Sequence, residues 1–304
     1  MSRGAAPFPA DPLAIACFLV AYCTINKSVQ SLDNALSAVR TEARDRGQEL
    51  SKVDEWYLKR VRRGLRKDFR QHVKRKRPIT ARVLYRMARR TDLRSLAGLQ
   101  YLTMCFLAHD ACLRAGEVLA LRWSDITWED FDRTGTPRVL AVTIRRSKAR
   151  YTEGSETVRV PRYRLGGKPL SAAHLLRVYM HDPEVLARQQ GDAEAYLFPS
   201  LFAPRARSAG QQPRPGQHVP VVKSTWVRWV RQQTRVAGYD ADEFSGHSFR
   251  AGGATDLHSA GVAEVLGRLL GRWRSREAYL LYLRQSPAQQ AAELRAGYER
   301  AFHG

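Results

Sequence analysis

Two short runs of β-branched residues, Arg138 to Arg145 and Thr157 to Val160, interrupt a chain whose apolar spacing is otherwise that of helices. Val, Ile and Thr suit a pleated, half-buried surface, and the polar segment between the runs makes them the two arms of a hairpin. Elsewhere the apolar residues recur three and four apart, as Val29, Leu32, Leu36 and Val39 do, which is the stripe a helix needs to meet a core. The predicted fold class is therefore mainly α with a small antiparallel β-sheet.

Residues 10 to 73 read as all-helical. Ser51 opens one helix, with Asp54 three residues on as a partial capping box. Val53, Trp56, Val61, Leu65 and Phe69 mark its apolar stripe, and Arg60, Arg62, Arg63, Arg66 and Lys67 crowd elsewhere on it. Lys74-Arg75-Lys76-Arg77-Pro78 then breaks the pattern, because proline restricts the residue before it, and Thr80 is positioned to cap the next helix. The domain boundary is placed here: a helical domain over 1–77, a basic linker, and a second, mixed α/β domain over 78–304. The second domain holds a long apolar helix from about Ser95 to Cys112, the hairpin, a helix around Ser171 to Tyr179, and helices from about Ser224 to the end. The Pro-, Gly-, Gln- and Arg-rich stretch 203–220 reads as a mobile loop. The segment 287–304 reads as a C-terminal helix that packs either on its own domain or on a neighbour.

Charge narrows the choice of partner. Fifty-one Lys and Arg face 29 Asp and Glu, for a formal net charge of +22. Such a field attracts polyanions at long range and releases their counterions on contact. Nucleic acid is the default partner and an anionic membrane surface the competitor. The apolar stretch Leu13 to Tyr22 is too short to span a bilayer and has neither the basic leader nor the cleavage site of a signal peptide. It reads as a core helix. Cys17, Cys23, Cys105 and Cys112 lack metal-ligand spacing and sit in apolar helical settings, as reduced core residues of an intracellular protein would.

Three separated clusters bear on chemistry, and each alone has an ordinary reading. Leu113-Arg114-Ala115-Gly116-Glu117 places an Arg and a Glu in an apolar setting; this is either a structural ion pair or an Arg aimed at a phosphate. His247 and Arg250, three apart at the start of a helix, share a face near a good anion site. Tyr279 and Tyr282 share a helix face after Trp273, where aromatic pairs are usually core.

Taken together, the clusters resemble the fingerprint of the tyrosine recombinases: an Arg in an LRxxE box, a distant HxxR box, and a His or Trp nine residues before a nucleophilic Tyr. Here the order is Arg114 with Glu117, then His247 and Arg250, then Trp273 and Tyr282. The resemblance is strongest over residues 104–126 and 244–284. It implies an all-helical N-terminal DNA-binding domain and a catalytic domain that cleaves and rejoins DNA through a 3′-phosphotyrosyl bond on Tyr282. It further implies Lys148, in the hairpin, as general acid, Glu117 as a residue orienting the cations, and no metal or other cofactor. Arg272 stands where the family usually has Gly. The expected partner is double-stranded DNA, bound by a homo-oligomer, dimer to tetramer, assembled on paired sites. DNA contacts are expected at Arg60, Arg63, Lys67, Lys74, Arg75, Lys76, Arg77, Arg145 and Arg146. The expected location is intracellular and DNA-associated. Two rival readings are a type IB-like topoisomerase and a DNA-binding remnant that no longer cuts.

Overall fold

The structure is a computed structural model describing residues 11–26, 29, 32–69, 76–145, 154–201, 219–284, 291 and 295. The chain divides into two compact units, Met1–Arg75 and Lys76–Gly304.

In the first unit, α1 (Pro12–Asn26), α2 (Leu32–Asp45) and α3 (Lys52–Asp68) share one small core. Ile15, Leu19 and Cys23 of α1 meet Leu32 and Leu36 of α2 and Leu58 and Leu65 of α3. The capping box at Ser51 forms as expected: the Asp54 N–H donates to Ser51 Oγ at 3.2 Å, and the Ser51 N–H donates to an Asp54 carboxylate oxygen at 3.1 Å. The expected stripe of α3 needs correcting, because Val53 and Trp56 are 73% and 57% exposed. Trp56 precedes Val61 by five residues, a rotation that puts it about 140° round the helix from the buried face. Leu58 is the residue that completes that face. Cys17 also departs from expectation. It lies on the exposed side of α1, whereas Cys23, Cys105 and Cys112 are buried; all four are free thiols.

The second unit is built on α5 (Leu96–Asp110), buried from Gly98 to His109, with α4 (Ala81–Ala88) before it and the short α6 (Ala115–Ala120) after it. The expected helix to Cys112 stops at Asp110. Cys112 has φ +47°, a left-handed conformation that cannot continue a helix, so Arg114 becomes the N-cap of α6. The sheet follows as β1 (Ile126–Phe131), β2 (Pro137–Ile144) and β3 (Glu156–Pro161), antiparallel in the order β1-β2-β3. Val142 pairs with Ile126 on one side and Val158 on the other. The strand β1 is not evident in the sequence, since Glu129 and Asp130 dilute its pattern.

Beyond the sheet lie α7 (Ala172–Met180), α8 (Pro183–Gln189), α9 (Lys223–Val236), α10 (Ser248–Ser259), α11 (Glu264–Gly271) and α12 (Arg276–Leu280). Of the expected loop 203–220 only Val219 and Pro220 are described, pairing back to Ser200 and Pro199. Of the expected C-terminal helix only Ala291 and Arg295 are described, both helical. No described helix is long and apolar enough to cross a membrane.

A polar hub holds α10 against α5. The ring nitrogens of buried His109 face Asp110 at 2.8 Å and Asp256 at 2.9 Å. Asp110 also accepts from Tyr163 Oη and the Ala172 N–H, both at 2.8 Å, and Asp256 accepts from the Ala81 N–H at 2.5 Å. The helices can approach this closely because position 253 is Gly: a Cβ there would lie 2.2 Å from the His109 carbonyl oxygen.

Candidate active site

The left-handed turn at Cys112 sets the first component. Because it makes Arg114 an N-cap, Glu117 three residues later folds back and accepts the Arg114 N–H at 2.8 Å. Its other oxygen accepts Arg114 Nη1 at 2.6 Å. Glu117 is buried, and a second guanidinium reaches it from far along the chain: Arg272 Nη2 donates to Glu117 Oε2 at 2.7 Å. By sequence Arg272 is only a departure from the motif. It takes φ +56° at the end of α11, which accounts for the glycine usual there, and its side chain is 4% exposed. Nothing in its local sequence announces a buried ion pair with a residue 155 positions away.

Arg250 forms the second component. It is fully buried in α10 and its two terminal nitrogens donate to the carbonyl oxygens of Cys112, at 2.5 Å, and Gly271. The ring of Trp273 covers the guanidinium at 4.2 Å and that of Tyr282 at 5.3 Å. Gly271 makes this stacking possible, since a Cβ there would lie 1.7 Å from the Trp273 ring. Burial, with the nearby charges of Arg114 and Arg272, lowers the Arg250 pKa to about 10, so it stays cationic at neutral pH. Its Nε–H and the indole N–H of Trp273 are buried with no hydrogen-bond partner among the described residues. Buried donors without an acceptor are uncommon and call for a reason.

The two tyrosines part company here. Tyr279 is a core residue, 1% exposed, with its hydroxyl 3.5 Å from the Ala254 carbonyl oxygen and its phenol pushed up by burial. Tyr282 lies past the end of α12, half-buried, with its ring 5.1 Å from that of Trp273. The next turn is tied to α10 by the Arg284 N–H, which donates to Thr255 Oγ1 at 3.0 Å.

His247 is exposed at the N-terminus of α10. Its neighbour Gly246 packs on Ala115, where a Cβ would come within 3.2 Å of the Ala115 Cβ, so the two boxes abut. Lys223, at the start of α9, is also at hand, its Cε 3.5 Å from the same point. No motif marked this lysine.

The expected DNA contacts fall into different settings. On α3, Arg60, Arg63 and Lys67 are exposed and lie along one face. Arg60 sits over the Trp56 ring at 4.8 Å, while Arg62 and Arg66 are engaged by Asp33. Lys76 and Arg77 are held by the second unit, Lys76 Nζ on the Asp242 carbonyl at 2.5 Å and Arg77 on Glu243 at 3.0 Å. Arg145 is tied in at the end of β2, on Asp125 at 2.5 Å, Glu194 at 2.7 Å and Ser124 Oγ at 2.6 Å. Lys74, Arg75, Arg146 and Lys148 lie outside the described residues. A further basic face, unmarked by any motif, is Arg228, Arg231 and Arg235 of α9, all exposed.

No protein-family model matches the chain, and no curated protein does. Solved structures do match. One is the pre-cleavage complex of the XerH site-specific recombinase with its difH substrate, at 14% identity and a TM-score of 0.57, covering 93% of this chain and 70% of that one. A dimer of lambda integrase (75–356) bound to a COC′ core site matches at 16% identity and TM-score 0.56, covering 93% and 83%. The Tn1549 transposon integrase (82–397) with circular intermediate DNA matches at 13% identity and TM-score 0.56, covering 95% and 86%. At such identities the likeness speaks for architecture, and it agrees with the mainly helical chain and its small antiparallel sheet: this chain has the fold of the tyrosine recombinases.

Proposed function

We propose that this chain is a DNA strand transferase that cleaves and rejoins duplex DNA at specific sites through a covalent bond to Tyr282. The observation that carries the reading is the shelf of Arg250, Trp273 and Tyr282. Residues from two distant boxes meet there, and two buried N–H groups await an acceptor. A non-bridging phosphate oxygen is the acceptor that a guanidinium Nε–H and an indole N–H both suit. Arg114 adds a cation at the neighbouring helix N-terminus.

The phenolic oxygen of Tyr282 attacks the phosphorus, and the bond to the 5′-oxygen breaks. A phenol ordinarily titrates near pH 10, so the proton needs an acceptor, for which His247 is the candidate. Lys148 gives a proton to the leaving 5′-oxygen. The phosphodiester energy is kept in the 3′-phosphotyrosyl link, so a 5′-hydroxyl from another strand can reseal it. Charge gathers on the non-bridging oxygens in the transition state, where each preorganised donor is worth about 10²- to 10³-fold in rate. Arg60, Arg63 and Lys67 hold the duplex by its phosphates, joined by the basic residues of the linker. Exchange between two DNAs calls for a homo-oligomer on paired sites.

The test incubates wild type and Tyr282→Phe with a randomised library of nicked duplexes, so that the leaving fragment diffuses away and the adduct is trapped. DNA recovered on denatured wild type alone, enriched in a site, is the expected result. Salt-sensitive binding without any adduct would refute strand transfer and leave a DNA-binding protein.

A further inference from the structure

We propose that Arg272 is a positioning residue for this chemistry: it shares Glu117 with Arg114, and so keeps the charge of Arg114 available to the scissile phosphate. The inference rests on the strand-transfer reading above and deepens it.

Geometry carries it. One oxygen of buried Glu117 takes Arg114 at 2.6 Å and the other takes Arg272 at 2.7 Å. Two guanidiniums, of Arg114 and Arg272, thus share a single buried carboxylate, and both act through space on Arg250. Without Arg272 the carboxylate of Glu117 would be left to neutralise Arg114 alone. The influence extends to Arg250, whose proton affinity is lowered in part by Arg272.

Arg272 also joins separate elements. Its Nη1 donates to the Leu270 carbonyl at 3.0 Å, and its Nε lies 3.7 Å from a carboxylate oxygen of Glu156 at the start of β3. It thereby connects the turn carrying Trp273, the helix start carrying Arg114, and the strand that follows the segment holding Lys148. The backbone argues in the same direction. At φ +56° a glycine would sit without strain, so the side chain is held there against a local cost, by its bonds to Glu117 and its neighbours.

A purely structural ion pair makes a different prediction. The experiment uses the full chain and the nicked duplex selected by wild type, and measures single-turnover adduct formation at saturating DNA, DNA affinity, and the thermal midpoint. Arg272→Gly should lose about 10²-fold in adduct rate, with DNA affinity within about threefold, and Arg272→Lys should recover at least tenfold of that loss. Should Arg272→Gly fail to fold, Arg272→Lys and Arg272→Gln decide: a folded Gln variant as slow as expected, with Lys well above it, supports positioning by charge. A folded Arg272→Gly or Arg272→Gln that cleaves within about threefold of wild type overturns the proposal and leaves strand transfer standing. Wild type that forms no adduct overturns both together.

Discussion

Replacing His109 by Gln removes the cation that His109 supplies to the hub between α5 and α10. Burial alone would drive the imidazole pKa down, but hydrogen bonds and charge attraction from Asp110 and Asp256 win, and the pKa rises to about 9. Against about 6.5 in the unfolded chain, that gap corresponds to about 3 kcal/mol of stability. A moderate discount applies, because the Asp256 side chain is 31% exposed, which leaves about 2–3 kcal/mol. The sign follows from the direction of the shift. The folded state binds the extra proton, so the stabilisation is complete below about pH 6.5 and is lost as pH rises through about 9. The assay is thermal unfolding followed by tryptophan emission, which reports chiefly the second unit, since Trp56 is the sole indole before residue 76. For a unit of this size, about 2–3 kcal/mol moves the midpoint by about 4–12 °C. Wild type should exceed His109→Gln by that margin at pH 6 and converge towards it by pH 10. A gap of constant size from pH 6 to pH 10 would refute a protonated His109 and leave only neutral hydrogen bonds at the hub.

Other consequences can be checked alongside. Tyr279→Phe should still form the covalent adduct and lose less than about 1 kcal/mol of stability, because its hydroxyl makes only a long contact to Ala254; loss of the adduct in Tyr279→Phe with retention in Tyr282→Phe would show the nucleophile to be misassigned. Gly271→Ala drives a methyl into the Trp273 ring, so it should cost about 1–3 kcal/mol in thermal unfolding and slow adduct formation at least tenfold at saturating DNA; an unchanged rate would separate Trp273 from the chemistry. Replacing Arg60, Arg63 and Lys67 together by Ala should flatten the plot of log affinity against log salt by about 2.7, if each neutralises one phosphate. An unaltered slope would remove α3 from the interface.

The helices and the Ser51 cap were legible because they are local, whereas Thr80 holds the N-cap position of α4 without a side-chain bond and Asp256 takes the Ala81 N–H instead. The Ser51 box and the apolar run of α5 depend on residues within one or two turns, whereas α3 ends at Asp68, well before Pro78. The hairpin was legible too, from β-branched runs, whereas β1 was not, since a charged edge strand is recognised by its partner and not by its own composition. The stripe on α3 went astray because Val53 and Trp56 are apolar without being buried, and only the packing of α1 and α2 selects which face turns inward.

The motif residues were found by type, order and spacing, and these the chain carries in itself: an Arg with a Glu three residues on, a His with an Arg, a Trp nine residues before a Tyr, and a net charge of +22 to match a polyanion. Their arrangement came from elsewhere. Local order cannot say that Arg250 will be clamped by the carbonyls of Cys112 and Gly271, or that Tyr279 will be core while Tyr282 lies on the guanidinium. Nor can it say that Arg272, a mismatch in the motif, will share Glu117 with Arg114. Each is a contact between residues brought together only by the folding of α5, α10 and α11 onto one another. Burial then turns proximity into chemistry, because charges that water would screen act strongly once the folded chain excludes it.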